Sequence, residues 1–404
     1  MNYMKQLAAI ALGAGLVAGS AGGLAAKELK ASVHLPPKNN TVADGWEPFA
    51  KQVKERTNGE VTVKLFLGGS LLGPKAASEG IRDGVVDLGY VIVGYHPAEF
   101  AHTAFINDMA AIGTDAVIVS AATTELIMTQ CAPCLAEYKA RGNVYTGTYA
   151  VPPMVIMSTK MIDSPEDAKG LKIRSAGSAW DNFVSAIGAT PVNVPSSEQY
   201  EAMSRGVVDA AFHVAASLKT YGLWDMTKDV LLVDVGAYRA INTFAFNPES
   251  WADLTDAQRR IVLEAASDAN FGIADGYIRT DREALKESEA KGIRVQKISE
   301  AFKAIRTEYV AREKAGLVAK GKETRGIADP EPLIAKMSDL VDKWTKIHEE
   351  VGGDIEAMKA RFKSDVIAKI DAVVITRAGA RLVDGELQQS FETDALIADC
   401  EASL

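Results

Sequence analysis

The sequence is poor in cysteine: its 404 residues carry three, Cys131, Cys134 and Cys400. Three thiols cannot build a disulfide framework, so the fold must rest on an apolar core, and the odd count leaves one sulfur over. Histidine is scarce as well, with His34, His96, His102, His213 and His348 scattered at no zinc-type spacing. A basic surplus is missing. The formal net charge of -9 removes the clustered Lys and Arg that a phosphate backbone requires, and with them a nucleic-acid partner. After residue 26 no apolar run approaches the roughly 20 residues of a spanning helix. Gly-x-Ser-x-Gly, a Walker loop, His-Glu-x-x-His and a dinucleotide fingerprint behind a strand are all absent. No enzyme is expected, and no cofactor or metal.

The first 26 residues differ from the rest. Lys5 gives a basic start, Leu7 to Val17 is apolar, and small residues lead to Gly23-Leu24-Ala25-Ala26. This is the layout of a secretory signal peptide cut near Ala25 or Ala26, so the mature protein is expected in the periplasm. There Cys131-Ala132-Pro133-Cys134 can bridge locally, or either cysteine can pair with Cys400. A periplasmic thiol oxidoreductase is the alternative reading of Cys131 and Cys134. Such motifs follow a strand and open a helix, whereas this one follows a helical stretch with Leu126, Ile127 and Gln130.

The mature part reads as strands and helices in turn. Leu29 to Leu35 is a strand ending at Pro36-Pro37; Val42, Trp46, Phe49 and Val53 recur at helical spacing; Val61, Val63, Leu65 and Leu67 alternate as in a strand. Pro74 to Gly84 is a short helix, and the nearly continuous apolar run Val85 to Val93 predicts a strand buried on both faces. The order β-α-β-α-β implies an α/β lobe with a largely parallel sheet. The same grammar returns about 120 residues later, from the helix start Ser164-Pro165-Glu166-Asp167 through the strand Leu171 to Arg174, the helix Ser178 to Ile187, the strand Pro191 to Val194 and the strand Val207 to Phe212. Gly84-Val85-Val86-Asp87 and Gly206-Val207-Val208-Asp209 are identical and each stands where a helix gives way to a strand. Two similarly built lobes follow, with the ligand expected between them, where strand ends and helix N-termini converge. From Thr255, which forms a capping box with Gln258, the chain turns helical, with one further strand at Ile293 to Val295 and an ambiguous run Val373-Val374-Ile375.

Arg174 stands out at the end of its strand, followed by Ser175-Ala176-Gly177-Ser178 and a helix. A guanidinium fork matches a carboxylate in two parallel hydrogen bonds, and a helix N-terminus adds partial positive charge beside it. His34, ending the first strand, is a further candidate for the cleft. Aromatic residues near the cleft segments, Trp180, Phe212, Trp224 and Tyr95, suggest a ligand with an apolar or aromatic body, with core packing as the alternative for each.

Several motifs sit together in order and spacing: Thr57-Asn58-Gly59-Glu60-Val61, Gly68-Gly69-Ser70-Leu71-Leu72-Gly73, Asp167 to Arg174, Gly188-Ala189-Thr190-Pro191 and Gly206 to Asp209. On these, residues 29 to 345 resemble the solute-binding subunit of tripartite ATP-independent periplasmic (TRAP) transporters, of the DctP type. The resemblance implies a two-lobed, type II-like periplasmic-binding-protein fold with hinge strands, a long connecting helix and a helical C-terminal extension. Residues 27–151 with 239–278 would form the first lobe, 152–238 with 279–345 the second, and 346–404 the extension. It implies that Arg174 pairs with the carboxylate of a small organic acid, and that the partners are the small and large membrane permease subunits. Use in a sensory receptor stays open, as does a homodimer. Where many relatives carry Gly-Gln-Glu-Asn-Pro, this chain has Ala210 to Val214, so His213 stands at the family's asparagine. Met154 stands where some relatives place a second basic residue. Both departures point away from a dicarboxylate or a sugar acid, and with the aromatic residues the expected ligand is a monocarboxylate with an apolar or aromatic body.

Overall fold

The computed structural model describes residues 26–96, 98–175 and 177–370, with the backbone of the strand pair Leu382–Val383 and Glu386–Leu387. Residues 1–25 of the expected signal peptide, Cys400 and the Val373–Ile375 run lie outside the described residues.

Two sheets form the two lobes. The first, from edge to edge, runs Ala245–Phe246, Leu88–Gly89, Lys27–Ser32 and Val61–Phe66. Lys27–Ser32 pairs in parallel with both of its neighbours, and Ala245–Phe246 closes the edge in the antiparallel sense. The second sheet runs Arg294–Lys297, Asp229–Leu232, Val155–Ser158, Ala210–His213, Lys172–Ser175 and Thr190–Asn193. Between the lobes, Thr148–Val151 and Tyr238–Ile241 pair as an antiparallel hinge. The helix Asp256–Ala290 spans both lobes; its 35 residues extend about 52 Å at the usual rise. It starts in a reciprocal capping box between Thr255 and Gln258.

The repeated tetrapeptide does the same work twice. Gly84 and Gly206 both take left-handed backbone at φ 70° and 68°. Val85 and Val207 are about half exposed, while Val86 and Val208 are buried. Asp87 accepts from the Lys30 amide at 2.7 Å, and Asp209 accepts from the Lys172 amide at 2.9 Å. Each carboxylate thus locks the start of its strand onto the neighbouring strand of its own sheet.

The apolar run Val85 to Val93 is not one strand. Only Leu88–Gly89 pairs in the sheet, and Val93–Tyr95 is a 3-10 turn. Beyond Gly89 the chain leaves the sheet: Tyr90, Ile92 and Tyr95 turn to the space between the lobes, while Val91 packs with Ala77, Ile81, Val86 and Ala245. Likewise the strand expected from Val207 begins at Ala210.

Residues 331–345, expected in the second lobe, pack elsewhere. The helix Glu331–Glu350 lies on the first-lobe helix Ala116–Glu125. There the Trp344 indole donates to Glu125 at 2.7 Å and Lys343 pairs with the same carboxylate. The helix Ile355–Asp365 then crosses the connecting helix: Phe362 stacks edge-on against Phe271 at 5.4 Å, Lys363 pairs with Asp268, and Arg260 donates to the carbonyls of Ile367 and Ile370. Cys131 and Cys134 form a disulfide with both residues buried. A bridge so enclosed offers no sulfur for thiolate attack, which argues against the oxidoreductase reading. Among the described residues no single helix is long and apolar enough to cross a membrane.

Candidate functional site

Arg174 is fully buried on the strand Lys172–Ser175, between Thr190–Asn193 and Ala210–His213. Its two neighbours position the guanidinium at their C-terminal ends. Nε donates to the Val194 carbonyl at 2.8 Å and Nη1 to the Phe212 carbonyl at 3.3 Å. A guanidinium has five N–H donors, so these bonds leave one on Nη1 and both on Nη2 without an assigned acceptor. Among the described residues no carboxylate lies within ion-pair distance of it. The Asp181 carboxyl feels the Arg174 charge, but burial holds it above the usual carboxylate range and it accepts from the Ser175 hydroxyl. A buried charge with no counter-ion is costly unless a ligand supplies one.

That ligand has a place. Arg174 opens on an interlobe cavity walled by six tyrosines (Tyr90, Tyr95, Tyr149, Tyr221, Tyr238 and Tyr277) and closed by Leu35, Ile92, Val151, Met154, Ser196, His213 and Val214. Among the described residues Arg174 is the sole Lys or Arg in this wall, and no Asp or Glu lines it. His213 adds no charge: enclosure of its ring, with the Arg174 charge beside it, holds its pKa well below the ordinary histidine value. Its Nδ1 shares a hydrogen bond with the Ser217 hydroxyl, and its ring meets Tyr221 edge-on at 6.1 Å.

Most phenol hydroxyls are tied into one chain that crosses between the lobes. Tyr90 bonds Tyr149 at 2.6 Å, and Thr41 bonds Tyr149 at 2.8 Å and Tyr277 at 3.1 Å. Asn39 accepts from Tyr277 at 3.1 Å and donates to Tyr221 at 3.2 Å. Tyr221 donates to the Ser196 hydroxyl at 3.4 Å, and the Ser196 amide donates to Tyr95 at 3.2 Å. With these five hydroxyls spent on one another and on Thr41, Asn39 and Ser196, their rings offer the cavity mainly their faces. Burial raises the phenol pKa of Tyr90, Tyr149, Tyr221, Tyr238 and Tyr277, so these rings stay protonated and neutral.

Of the residues singled out in the sequence, Arg174, His213, Tyr95 and Met154 line the cavity. Trp180, Phe212, Trp224 and His34 do not. Trp180 is core, packed edge-on against Tyr238 at 5.0 Å. Phe212 points its ring at Phe183 and gives the site only its carbonyl. Trp224 is partly buried and packs against the second lobe's own core, with Lys291 over its ring at 4.5 Å. His34 stacks flat on Tyr90 at 5.3 Å, one layer behind the wall, and burial lowers its pKa to about 4, leaving it neutral. The helix Ser178–Ala186 begins near Arg174, yet none of its residues lines the cavity, and Ser178 bonds Asp108 of the first lobe instead. Sequence reading missed Tyr90, Tyr149, Tyr221, Tyr238, Tyr277 and Ser196. A signal was available for Tyr149 and Tyr238, which sit in short strands otherwise built of buried residues, where a large ring with a polar tip needs somewhere to point.

Residues 32–314 match the DctP family, described as bacterial extracellular solute-binding protein, family 7. A solute-binding protein of Albidiferax ferrireducens is 28% identical over 200 residues, 50% of this chain and 57% of that relative, so the alignment spans little more than half of its length. The structure of a TRAP periplasmic solute-binding protein from Bordetella bronchiseptica, solved with bound (R)- and (S)-mandelate, is 26% identical, with a TM-score of 0.67 over 78% of this chain and 99% of that one. A marine metagenome TRAP solute-binding protein specific for aromatic acid ligands is 23% identical, with a TM-score of 0.70 over 79% of this chain and 99% of that one.

Proposed function

Because the chain belongs to family 7 of the bacterial extracellular solute-binding proteins, the DctP family, we propose that it captures a monocarboxylate with an apolar or aromatic body and delivers it to a TRAP membrane permease. The single observation that carries the ligand class is the wall of the cavity: one buried guanidinium without a counter-ion among the described residues, faced by six tyrosine rings. One positive group balances one carboxylate. A second carboxylate would be desolvated without a partner, and so would the ammonium of an amino acid. The flat rings suit an aromatic or aliphatic body, in keeping with the mandelate bound by the Bordetella bronchiseptica protein.

In this reading the protein binds and releases, and no bond is made or broken. Ligand entry needs the lobes to part. The acid then ties Arg174 of the second lobe to a wall supplied largely by the first lobe and the hinge, so the closed form binds more tightly than the open one. The partners are the small and large permease subunits, and the place of action is the periplasm, with the leader removed near Ala25 or Ala26. Calorimetric titration with mandelate, benzoate, phenylacetate, succinate and glutamate tests the ligand class. Binding of the first three with little heat from the last two supports it; a preference for succinate or glutamate would overturn it.

A further inference from the structure

One phenol in the cavity has a hydroxyl with nothing to bond. Tyr90, Tyr95, Tyr149, Tyr221 and Tyr277 each take part in the hydrogen-bond chain. Tyr238 does not: among the described residues its hydroxyl has no hydrogen-bond partner, although the residue is only 7% exposed and lines the cavity. Its position is fixed from two sides. Trp180 packs edge-on against the ring, and the hydroxyl backs onto Gly94, where a Cβ would stand 3.2 Å from the oxygen. Gly94 has no left-handed backbone to explain it, so its missing side chain is a matter of room for that hydroxyl.

The Arg174 charge reaches Tyr238 but cannot accept from its O–H, since a guanidinium only donates and the phenol keeps its proton. Two kinds of donor therefore share one cavity: three N–H groups of Arg174 and one O–H of Tyr238. We propose that Tyr238 is a specificity-determining residue whose hydroxyl donates to the same ligand carboxylate that Arg174 holds. This rests on the carboxylate reading of the cavity and adds a second grip to it. The acid is held by a charge on the second lobe and by a neutral donor on the hinge strand Tyr238–Ile241. A carboxylate has four acceptor positions and suits this pair; an amide presents its own N–H groups to donors and is rejected.

The test is Tyr238→Phe, titrated with mandelate, benzoate and 3-hydroxybenzoate and melted without ligand. Affinity for the tightest-binding acid falls about tenfold or more, the loss expected for a hydrogen bond to a charged group. The ligand-free melting temperature does not fall, because no bond of the empty protein is removed. Tyr149→Phe is the control: its hydroxyl holds Tyr90 and Thr41, so it lowers the ligand-free melting temperature. Gly94→Ala crowds the Tyr238 hydroxyl without removing it and weakens binding in the same direction. Unchanged affinity in Tyr238→Phe, while the wild type binds these acids, overturns the role of Tyr238 and leaves the carboxylate reading standing. Equal losses of affinity and ligand-free stability also overturn it. If the wild type binds none of the three acids, both fall.

Discussion

The side-chain amide of Asn39 donates to the Tyr221 hydroxyl at 3.2 Å, and that one bond joins the segment after the first strand of one lobe to the segment after Ala210–His213 of the other. Asn39 also accepts from the Thr41 amide and the Tyr277 hydroxyl, so it is the junction of first lobe, connecting helix and second lobe. Asn39→Ala removes one bond from each of the Tyr221 and Tyr277 hydroxyls and leaves the buried Thr41 amide without the Asn39 oxygen, at a cost of about 1–3 kcal/mol. Because the Tyr221 bond exists only while the lobes meet, part of that cost falls on closure. Affinity should drop about fivefold or more, with a larger radius of gyration by small-angle scattering. Equal affinity and an unchanged radius would rule the junction out.

Arg174→Ala removes the charge that the cavity is built around. Truncating one partner of a buried, hydrogen-bonded charge pair costs about 2–5 kcal/mol, so carboxylate affinity should fall by at least about tenfold. Titration of the variant with the acid that binds the wild type most tightly measures it. Undiminished binding would show that the acid group rests elsewhere.

Asp281, on the connecting helix, accepts from the Ala216 amide at 2.7 Å, and burial raises its pKa to about 7. The folded state thus holds a proton that the unfolded chain releases near pH 3.8. Its contribution is complete below that pH and declines as pH rises towards about 7, by at most about 4 kcal/mol on this residue's account. His34, lowered to about 4 by burial, works oppositely, since the unfolded chain gains a proton there as pH falls. Comparing wild type with Asp281→Asn isolates the carboxyl. Relative to wild type, the variant should gain stability as pH rises between about 4 and 7, read from chemical denaturation at a series of pH values; a constant difference across the window would refute it.

Phe362 meets Phe271 and Trp344 and is almost fully buried. Phe362→Ala should cost about 3–5 kcal/mol of stability and lower the melting temperature. No residue of 331–370 lines the cavity, so ligand affinity should hold. A loss of affinity in protein that is still fully folded would mean that the extension acts on the site and not only on the scaffold.

Much of the architecture was legible because it is written locally. The capping box at Thr255, the Pro165 helix start and the matched glycines at 84 and 206 are properties of a few adjacent residues. The strand Val85 to Val93 was misread because apolar composition reports burial and not what does the burying. Here the cleft encloses Tyr90 and Ile92, and Val86 and Val91 pack in a small cluster of their own lobe. Trp180 and Trp224 failed as cleft residues for a related reason: proximity in sequence to Arg174 or His213 does not fix which way a ring faces.

What the sequence alone determined is the two-lobed plan, the family and the place of Arg174 on its strand, since each depends on residue types at short, ordered spacings. Which groups surround that arginine was decided only by folding. Tyr90, Tyr149, Tyr221, Tyr238 and Tyr277 come from segments far apart in the chain, and they meet because the hinge strands, the connecting helix and both lobes close on one volume. A hydroxyl becomes a partner, or stays without one, according to distances that no local pattern encodes.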